Sequence, residues 1–445
     1  MPVLTNEKKT AVKRVLRLSV PAIMAEISSI IMQYIDAAMV GSLGAHATAA
    51  IGLVSTTTWL IGGLCISVGT GFSVQTAQLV GAERFDDARC AFRQGIKSCL
   101  IAGAVLMVIA CAISRPLPAL LRGDSALYDD ASAYFFVFSL ALPFECLRYM
   151  SGSMLACSGD MKTPGILNTL LCVCDVLFNL LFIFGFGLGV KGAALGTAAS
   201  EVCISLVMFF YAAFKSDVLS LRLGGSWRYT KSCVKAAVKI AVPAAFEHSV
   251  MCLAYVAATY IAAPLGTVSL AANSLAVTAE SFCYMPAYGI GSAATTLVGQ
   301  SLGAGDKALA KSYAHICAAM GMIFMAVTGA VTFFAAPLMF RLLTSSADVR
   351  ALGTAVLRIE VFAEPLYGAS IVCAGAFRGA GDTLLPSILN LVSMWGVRIT
   401  LSVILVGTMG LYGIWTAMCA ELCFRGVIFL VRLMRGRWLD IKLKI

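Results

Sequence analysis

The sequence predicts an all-α membrane protein: twelve transmembrane helices in two pseudo-symmetric six-helix lobes. Three observations carry that prediction. Of 445 residues, 60% are hydrophobic and only 13% are charged, and the mean hydropathy is +0.89. An ordinary soluble domain carries about 25% charged residues. The apolar residues run in blocks long enough for the roughly 20 residues of helix that a hydrocarbon core requires. Motifs in the first half also return in the second half at one constant offset.

Twelve spans follow in order. The first, 16–39, holds Pro21 and Asp36. It follows a basic N-terminus (Lys8, Lys9, Lys13, Arg14, Arg17) and has the length of a full span, so it reads as a helix of the membrane and not as a cleavable signal. The second, 48–76, leads through Gln78, Gly81 and Ala82 to a connection marked by Arg84, Arg89, Arg93 and Lys97, before the third, 92–113. The fourth, 131–156, and fifth, 165–186, are separated by GlyAspMetLysThrPro at 159–164. There Gly frees the backbone, Asp can cap the next helix and Pro suits its first turn. The sixth, 192–214, ends at a basic connection with Lys215, Arg222, Arg228, Lys231 and Lys235. The second half runs through 236–262, 270–297, 311–334, 352–376, 386–407 and 412–434. The expected organisation is a first lobe at 1–215, a linker at 216–235 and a second lobe at 236–445.

The loops set the expected orientation. Lys and Arg collect in the 2–3, 6–7 and 8–9 connections and at the C-terminus (Arg432, Arg435, Arg437, Lys442, Lys444), whereas the 1–2, 7–8 and 11–12 loops have none. Positive charge favours the cytoplasmic side, so both termini and the linker are expected there, in a cell membrane. The net charge of +10 lies in these loops and tails and does not point to nucleic acid. The 16 cysteines fall mostly inside apolar spans without metal-ligand spacing and read as small hydrophobes.

The internal repeat has an offset of 222 residues. Gly44 matches Gly266, Pro21 matches Pro243, and Gln78–Gly81–Ala82 matches Gln300–Gly303–Ala304. Asp160, Pro164 and Asn168 match Asp382, Pro386 and Asn390. Six spans per repeat give both halves the same orientation, with a site expected between them.

Asp36 breaks this symmetry, because the equivalent position is Ala258. A carboxylate at membrane depth costs several kcal/mol unless it is paired, hydrated or protonated. Helix 5 adds Asp175 and Asn179, one turn apart on one face. Thr197 and Tyr134 lie on helices of the same half. Carboxylate, amide and hydroxyl oxygens together suit Na⁺, and a carboxylate pair can also share a proton; the same groups can hold helices together by hydrogen bonds. In the second half Glu247 and Glu280 are placed to line a substrate cavity, and His248 is either a titrating group or a hydrogen-bonded helix residue. Other in-span glutamates are expected to pair with Arg148, Arg358 or Arg425 at helix ends. Pro21 removes a backbone donor and acts as a static kink or a hinge.

These residues resemble the multidrug and toxic compound extrusion (MATE) transporters over essentially the whole chain. The first half carries AspAlaAlaMetValGlySerLeuGly (36–44), GlnLeuValGlyAla (78–82), GlyAspMetLysThrPro (159–164) and PheIlePheGlyPheGlyLeuGlyValLysGlyAlaAla (182–194). The second carries AlaProLeuGlyThrValSerLeuAlaAla (263–272), GluSerPheCysTyrMetPro (280–286), ThrLeuValGlyGlnSerLeuGlyAlaGlyAsp (296–306) and ArgGlyAlaGlyAspThr (378–383). The resemblance implies two six-helix lobes forming a V. It also implies antiport, in which Na⁺ or H⁺ enters as an organic, often cationic, compound leaves. It implies a cation-binding Asp on helix 1, matched by Asp36. On helix 5 it implies an Asn followed four residues later by an Asp; here Asp175 and Asn179 stand in the reverse order. Thr197, Tyr134 and Pro21 fall at matching positions.

The expected function is therefore cation-coupled export of small organic compounds by a protein in the lipid bilayer, working as a monomer without an enzymatic cofactor or resident metal. Ion loading at Asp36 and Asp175 would neutralise the carboxylates, change the cavity's affinity for substrate and reverse access. A flippase for lipid-linked oligosaccharides would instead call for a strongly basic central cavity, and a receptor or scaffold would not require a repeat with buried acids. No HExxH or GxSxG motif points to an enzyme.

Overall fold

The computed structural model describes residues 2–441, with side chains from Lys9 onward. Lys442 and Lys444 lie outside the described residues, and the Lys8 side chain is likewise outside them. Among the described residues there is no strand, and twelve long helices follow one another. They are α1 (Pro2–Ser42), α2 (Ala45–Gly81), α3 (Phe85–Ile113), α4 (Tyr128–Ser158), α5 (Lys162–Asn179, continued by a π-helical turn at Leu180–Gly185) and α6 (Gly189–Phe214). In the second half they are α7 (Lys231–Ala262), α8 (Thr267–Gly303), α9 (Lys307–Leu343), α10 (Ala347–Glu360 and Glu364–Gly379), α11 (Leu384–Leu391, π-helical Val392–Ile399, and Thr400–Met409) and α12 (Leu411–Arg435).

Ten of these helices are long and apolar enough to cross a membrane. The two others are α8, whose middle carries Glu280 among Thr, Ser and Asn, and α10, interrupted by a turn between Glu360 and Glu364. Large apolar side chains stand exposed on the helices, among them Val108, Phe334 and Leu342. Hydrocarbon solvates such a surface, and water would not.

The repeat is visible in local geometry. Gly44 and Gly266, at the starts of α2 and α8, have φ +105° and +91°. The Ala82 and Ala304 amides donate to the Gln78 and Gln300 carbonyls at 3.0 and 2.9 Å, closing the same two helices. The two aspartates of the turn motif differ. Asp160 accepts the Thr163 amide at 3.1 Å and caps α5, whereas Asp382 is paired with Arg432 of α12.

The helices pack as two compact units. One is Ile27–His248; the other takes the chain up to Glu26 and resumes at Ser249. Each crossover falls inside a helix, in α1 five residues after Pro21 and in α7 five residues after Pro243, again 222 positions apart.

In the Ile27–His248 unit, α4 packs against α2, α3 and α6 around buried Phe72, Phe92, Phe135, Met150 and Met208. The first turns of α7 join this core through Cys233 and Ala237. In the other unit α8, α9 and α10 form the centre, and Ala11 and Val15 of α1 insert into a core with Phe377, Phe429 and Trp438. A glycine makes room for each of these two helices. A Cβ on Gly71 of α2 would stand 2.6 Å from the Ala237 carbonyl oxygen, and one on Gly289 of α8 would stand 2.6 Å from the Ile23 nitrogen. Small residues let helix backbones approach this closely in a membrane. Thus the first helix of each half beds on the second helix of the other half.

Two of the expected in-span ion pairs form, but inside helices and not at their ends. Arg148 of α4 forks onto Glu201 of α6 (Nε–Oε2 2.6 Å, Nη2–Oε1 2.9 Å) and donates to Asn168 Oδ1 at 3.1 Å. Arg425 meets Glu421 one turn away on α12 at 3.0 Å. Arg358 instead donates to the Phe333 carbonyl at 3.1 Å and lies over that ring. All sixteen cysteines are free thiols.

Candidate functional site

α5 presents Asp175 and Asn179 one turn apart on the face that packs against α6, where both are almost fully buried. Asp36 of α1 reaches the same place and remains partly accessible. The Asn179 amide lies between the two acids. Its Nδ2 donates to Asp36 Oδ1 at 2.9 Å and to Asp175 Oδ2 at 3.0 Å. The Ser200 hydroxyl of α6 lies 3.1 Å from Asp175 Oδ1 and 2.8 Å from the Thr197 carbonyl oxygen, so its one proton serves one of them at a time. Asn179 Oδ1 is buried and has no hydrogen-bond partner among the described residues.

The site is rich in oxygen and poor in donors. Two carboxylates and the Asn179 amide bring five oxygens, against one NH₂ group and the hydroxyls of Ser200 and Thr197. Such a surplus favours a small hard cation or a proton, because either offsets the repulsion that apposed carboxylates build up in a poor solvent. Gly196 of α6 lies directly beneath Asn179, and a Cβ there would overlap Oδ1 and stand 2.9 Å from the Asn179 nitrogen. The absence of a side chain at 196 lets α6 hold Asn179 in place.

The other predicted residues are distributed as follows. Thr197 sits beside Asp175, and Tyr134 of α4 lies near both acids. Ser200 joins the site although the sequence did not single it out; a serine one turn from Thr197 carries no signal by itself. Glu247 and His248 are at the end of the Ile27–His248 unit, where His248 packs on Gly63 of α2. Glu280 is buried in the other unit, near Arg398 and Arg425. Glu360 and Glu364 flank the break in α10, fully buried, and none of their carboxylate oxygens has a hydrogen-bond partner among the described residues. Pro21 lies in α1, which remains helical through it.

Fold and site together define a polytopic helical membrane protein made from a duplicated six-helix unit, in which the amide-bridged carboxylates Asp36 and Asp175 belong to the first copy and the buried Glu280, Glu360 and Glu364 to the second. The chain belongs to the MatE family: the family model matches residues 21–181 and again 243–404, two stretches that begin 222 positions apart. The probable multidrug resistance protein NorM of Thermotoga maritima is 25% identical over 436 residues, covering 96% of this chain and 93% of that protein. The multidrug export protein MepA of Staphylococcus saprophyticus is 24% identical over 97% of this chain and 96% of its own length. Mouse multidrug and toxin extrusion protein 2 is 23% identical over 95% of this chain and 74% of its own length. Among solved structures, a mutant of the Vibrio cholerae MATE transporter VcmN superposes with a TM-score of 0.92 at 18% identity, covering 98% of this chain and all of that one. A MOP superfamily transporter from Pyrococcus furiosus superposes with a TM-score of 0.91 at 19% identity over 97% of both chains. The chain is not an enzyme.

Proposed function

We propose that this protein exports small organic, often cationic, compounds across the cell membrane by alternating access, in exchange for Na⁺ or H⁺ taken up at Asp36 and Asp175. The observation that carries the reading is the Asn179 amide bridging two carboxylates while its own buried Oδ1 has no hydrogen-bond partner among the described residues. The amide nitrogen supplies the positive edge there when no ion is bound. An arriving cation takes that place, and Asn179 then turns its unpartnered Oδ1 toward it. Tyr134, Thr197 and Ser200 complete the surroundings. Relatives named for multidrug resistance, multidrug export and toxin extrusion, matching nearly the whole chain, support the export half of the reading. Ion uptake is felt at Pro21, the hinge of α1. Both termini and the linker at 216–235 face the cytoplasm, and the protein acts as a monomer. Glu280 in its unit, and Glu247 and His248 in theirs, are the further titratable groups offered to substrate. A lipid-linked oligosaccharide flippase fits less well, because the buried groups without an ion-pair partner among the described residues include the acids Asp175, Glu360 and Glu364 as well as the cation Arg398.

The test is efflux of a cationic dye from loaded right-side-out vesicles driven by an imposed inward Na⁺ or pH gradient. Asp36→Asn and Asp175→Asn should each lower gradient-driven efflux by on the order of tenfold or more, with protein levels unchanged. The gradient that drives wild-type efflux identifies the ion. Intact efflux in both variants overturns the assignment.

A further inference from the structure

Away from the carboxylates, the Ile27–His248 unit carries an open groove of about 860 Å³ between α3 and the first turns of α7. Its floor is apolar: Ile101 and Ala102 from α3, Val234 and Val238 from α7. A narrower recess continues from it along α7 to Phe72, Ala241 and Val242. From Lys231 to Val242 that path is about 16 Å of helix. The surface beside it is greasy, since Ile101, Val105, Val238 and Val242 are all more than half exposed. The groove therefore opens sideways onto hydrocarbon.

The mouth has the opposite character. Lys231 and Lys235 line it one turn apart, together with the Ser98 hydroxyl and Tyr229. Neither ammonium group has a hydrogen-bond or ion-pair partner among the described residues. Lys97 stands behind them and donates to the Trp227 carbonyl at 2.6 Å, with the Trp227 and Tyr229 rings 5.8 and 5.5 Å away. Arg93 donates to the Leu223 carbonyl at 2.6 Å. No carboxylate pairs with any of these four cations among the described residues. The rim itself is held firmly: Gln94 accepts the Thr230 amide at 3.0 Å and donates to the Thr230 hydroxyl at 3.2 Å. Exposed Trp and Tyr beside lysines, where a span meets its polar end, mark the headgroup level of a bilayer.

We propose that this groove is a binding site for one anionic phospholipid, with an acyl chain along Ala102, Val234 and Val238 and its phosphate at Lys231, Lys235 and Ser98. Charge complementarity selects the occupant. A zwitterionic lipid brings its own cation to a mouth that already holds two unpaired ones, and an anionic lipid does not. A free phosphate would leave the apolar floor bare. Basic recesses between transmembrane helices hold anionic headgroups in this way. The bound lipid ties the 222–230 connection to α3 and α7 and thereby stiffens the place where the chain passes into its second half. The proposal stands independently of the transported compound and of the coupling ion.

Native mass spectrometry of the full-length protein in neutral detergent tests it, with dioleoyl phosphatidylglycerol and dioleoyl phosphatidylcholine supplied at equal concentration. Wild type should retain the anionic lipid preferentially. Lys231→Gln with Lys235→Gln should reduce that retention by roughly twentyfold, about fivefold per lysine, and Lys231→Arg with Lys235→Arg should keep it. Ala102→Trp, which fills the floor, should weaken both lipids while the melting temperature in lipid-free detergent stays at the wild-type value. Glycerol 3-phosphate should not compete. Equal retention of the two lipids by wild type, unchanged preference in the glutamine variant, or displacement by glycerol 3-phosphate overturns the proposal.

Discussion

Asn179 is the residue on which the carboxylate pair depends, because its one amide group contacts both acids. Gly196 holds it there by having no side chain. Gly196→Ala should therefore push Asn179 away from Asp36 and Asp175. The expected cost is about 1–3 kcal/mol of overpacking, seen as a lower melting temperature in detergent, together with lost gradient-driven efflux. Ser200→Ala is the contrasting change. It leaves the packing nearly intact and removes one donor, worth about 0.5–1.5 kcal/mol, so ion affinity should shift several-fold while the melting temperature falls less than in Gly196→Ala. A stable, fully active Gly196→Ala protein would show that the close approach does not matter. Asp36, Asp175 and Asn179 were legible in the sequence because polar groups at membrane depth are rare and i, i+4 spacing puts two of them on one face. Ser200 and Gly196 were not, because serine and glycine are ordinary residues in membrane helices and only the packing of α5 on α6 shows what they touch.

α1 and α7 are the two helices that pass from one packing unit to the other, each five residues beyond a proline. Each has its own glycine bed, Gly289 for α1 and Gly71 for α7. Gly289→Val should drive a branched side chain into the Ala22–Ile23 backbone and lower the melting temperature, again by an amount in the 1–3 kcal/mol range. The same substitution at the exposed Gly41, where a Cβ meets nothing within 4 Å, should change it little; equal effects at both positions would show that the α1–α8 approach carries no packing weight. Pro21→Ala addresses the hinge. If α1 bends there during transport, the variant should keep ion-protected thermal stability and lose turnover. Wild-type turnover would make the proline a static feature. The prolines and their 222-residue spacing were plain in the sequence. The crossovers were not, because hydropathy marks where a helix begins and ends but not which neighbours its two halves choose.

The crossovers have a consequence for the whole molecule. Neither sequence half contains all of a packing unit: the Ile27–His248 unit needs the first turns of α7, and the other unit needs the first part of α1. A chain cut in the exposed connection near Gly224 and Gly225 should therefore work only when both fragments are made together. Co-expressed fragments should co-purify and restore dye efflux. Each fragment alone should be degraded or aggregate. A first half that is stable and monodisperse by itself would contradict this arrangement.

By itself, the sequence determined the all-helical membrane class, the number of long helices, the duplication and the three polar residues that meet in the carboxylate site. Each of these follows from local or periodic properties: apolar length, charge placement, a constant offset and spacing along one helix. Tertiary structure alone decided that the duplicated halves exchange their first helices at a point inside α1 and α7. It also decided that Asn179 and Ser200 hydrogen-bond the acids, and that Lys231 and Lys235 open onto an apolar groove. Those outcomes rest on which surfaces are small enough to approach closely and which donors meet which oxygens across helices. Both are settled only when the helices pack.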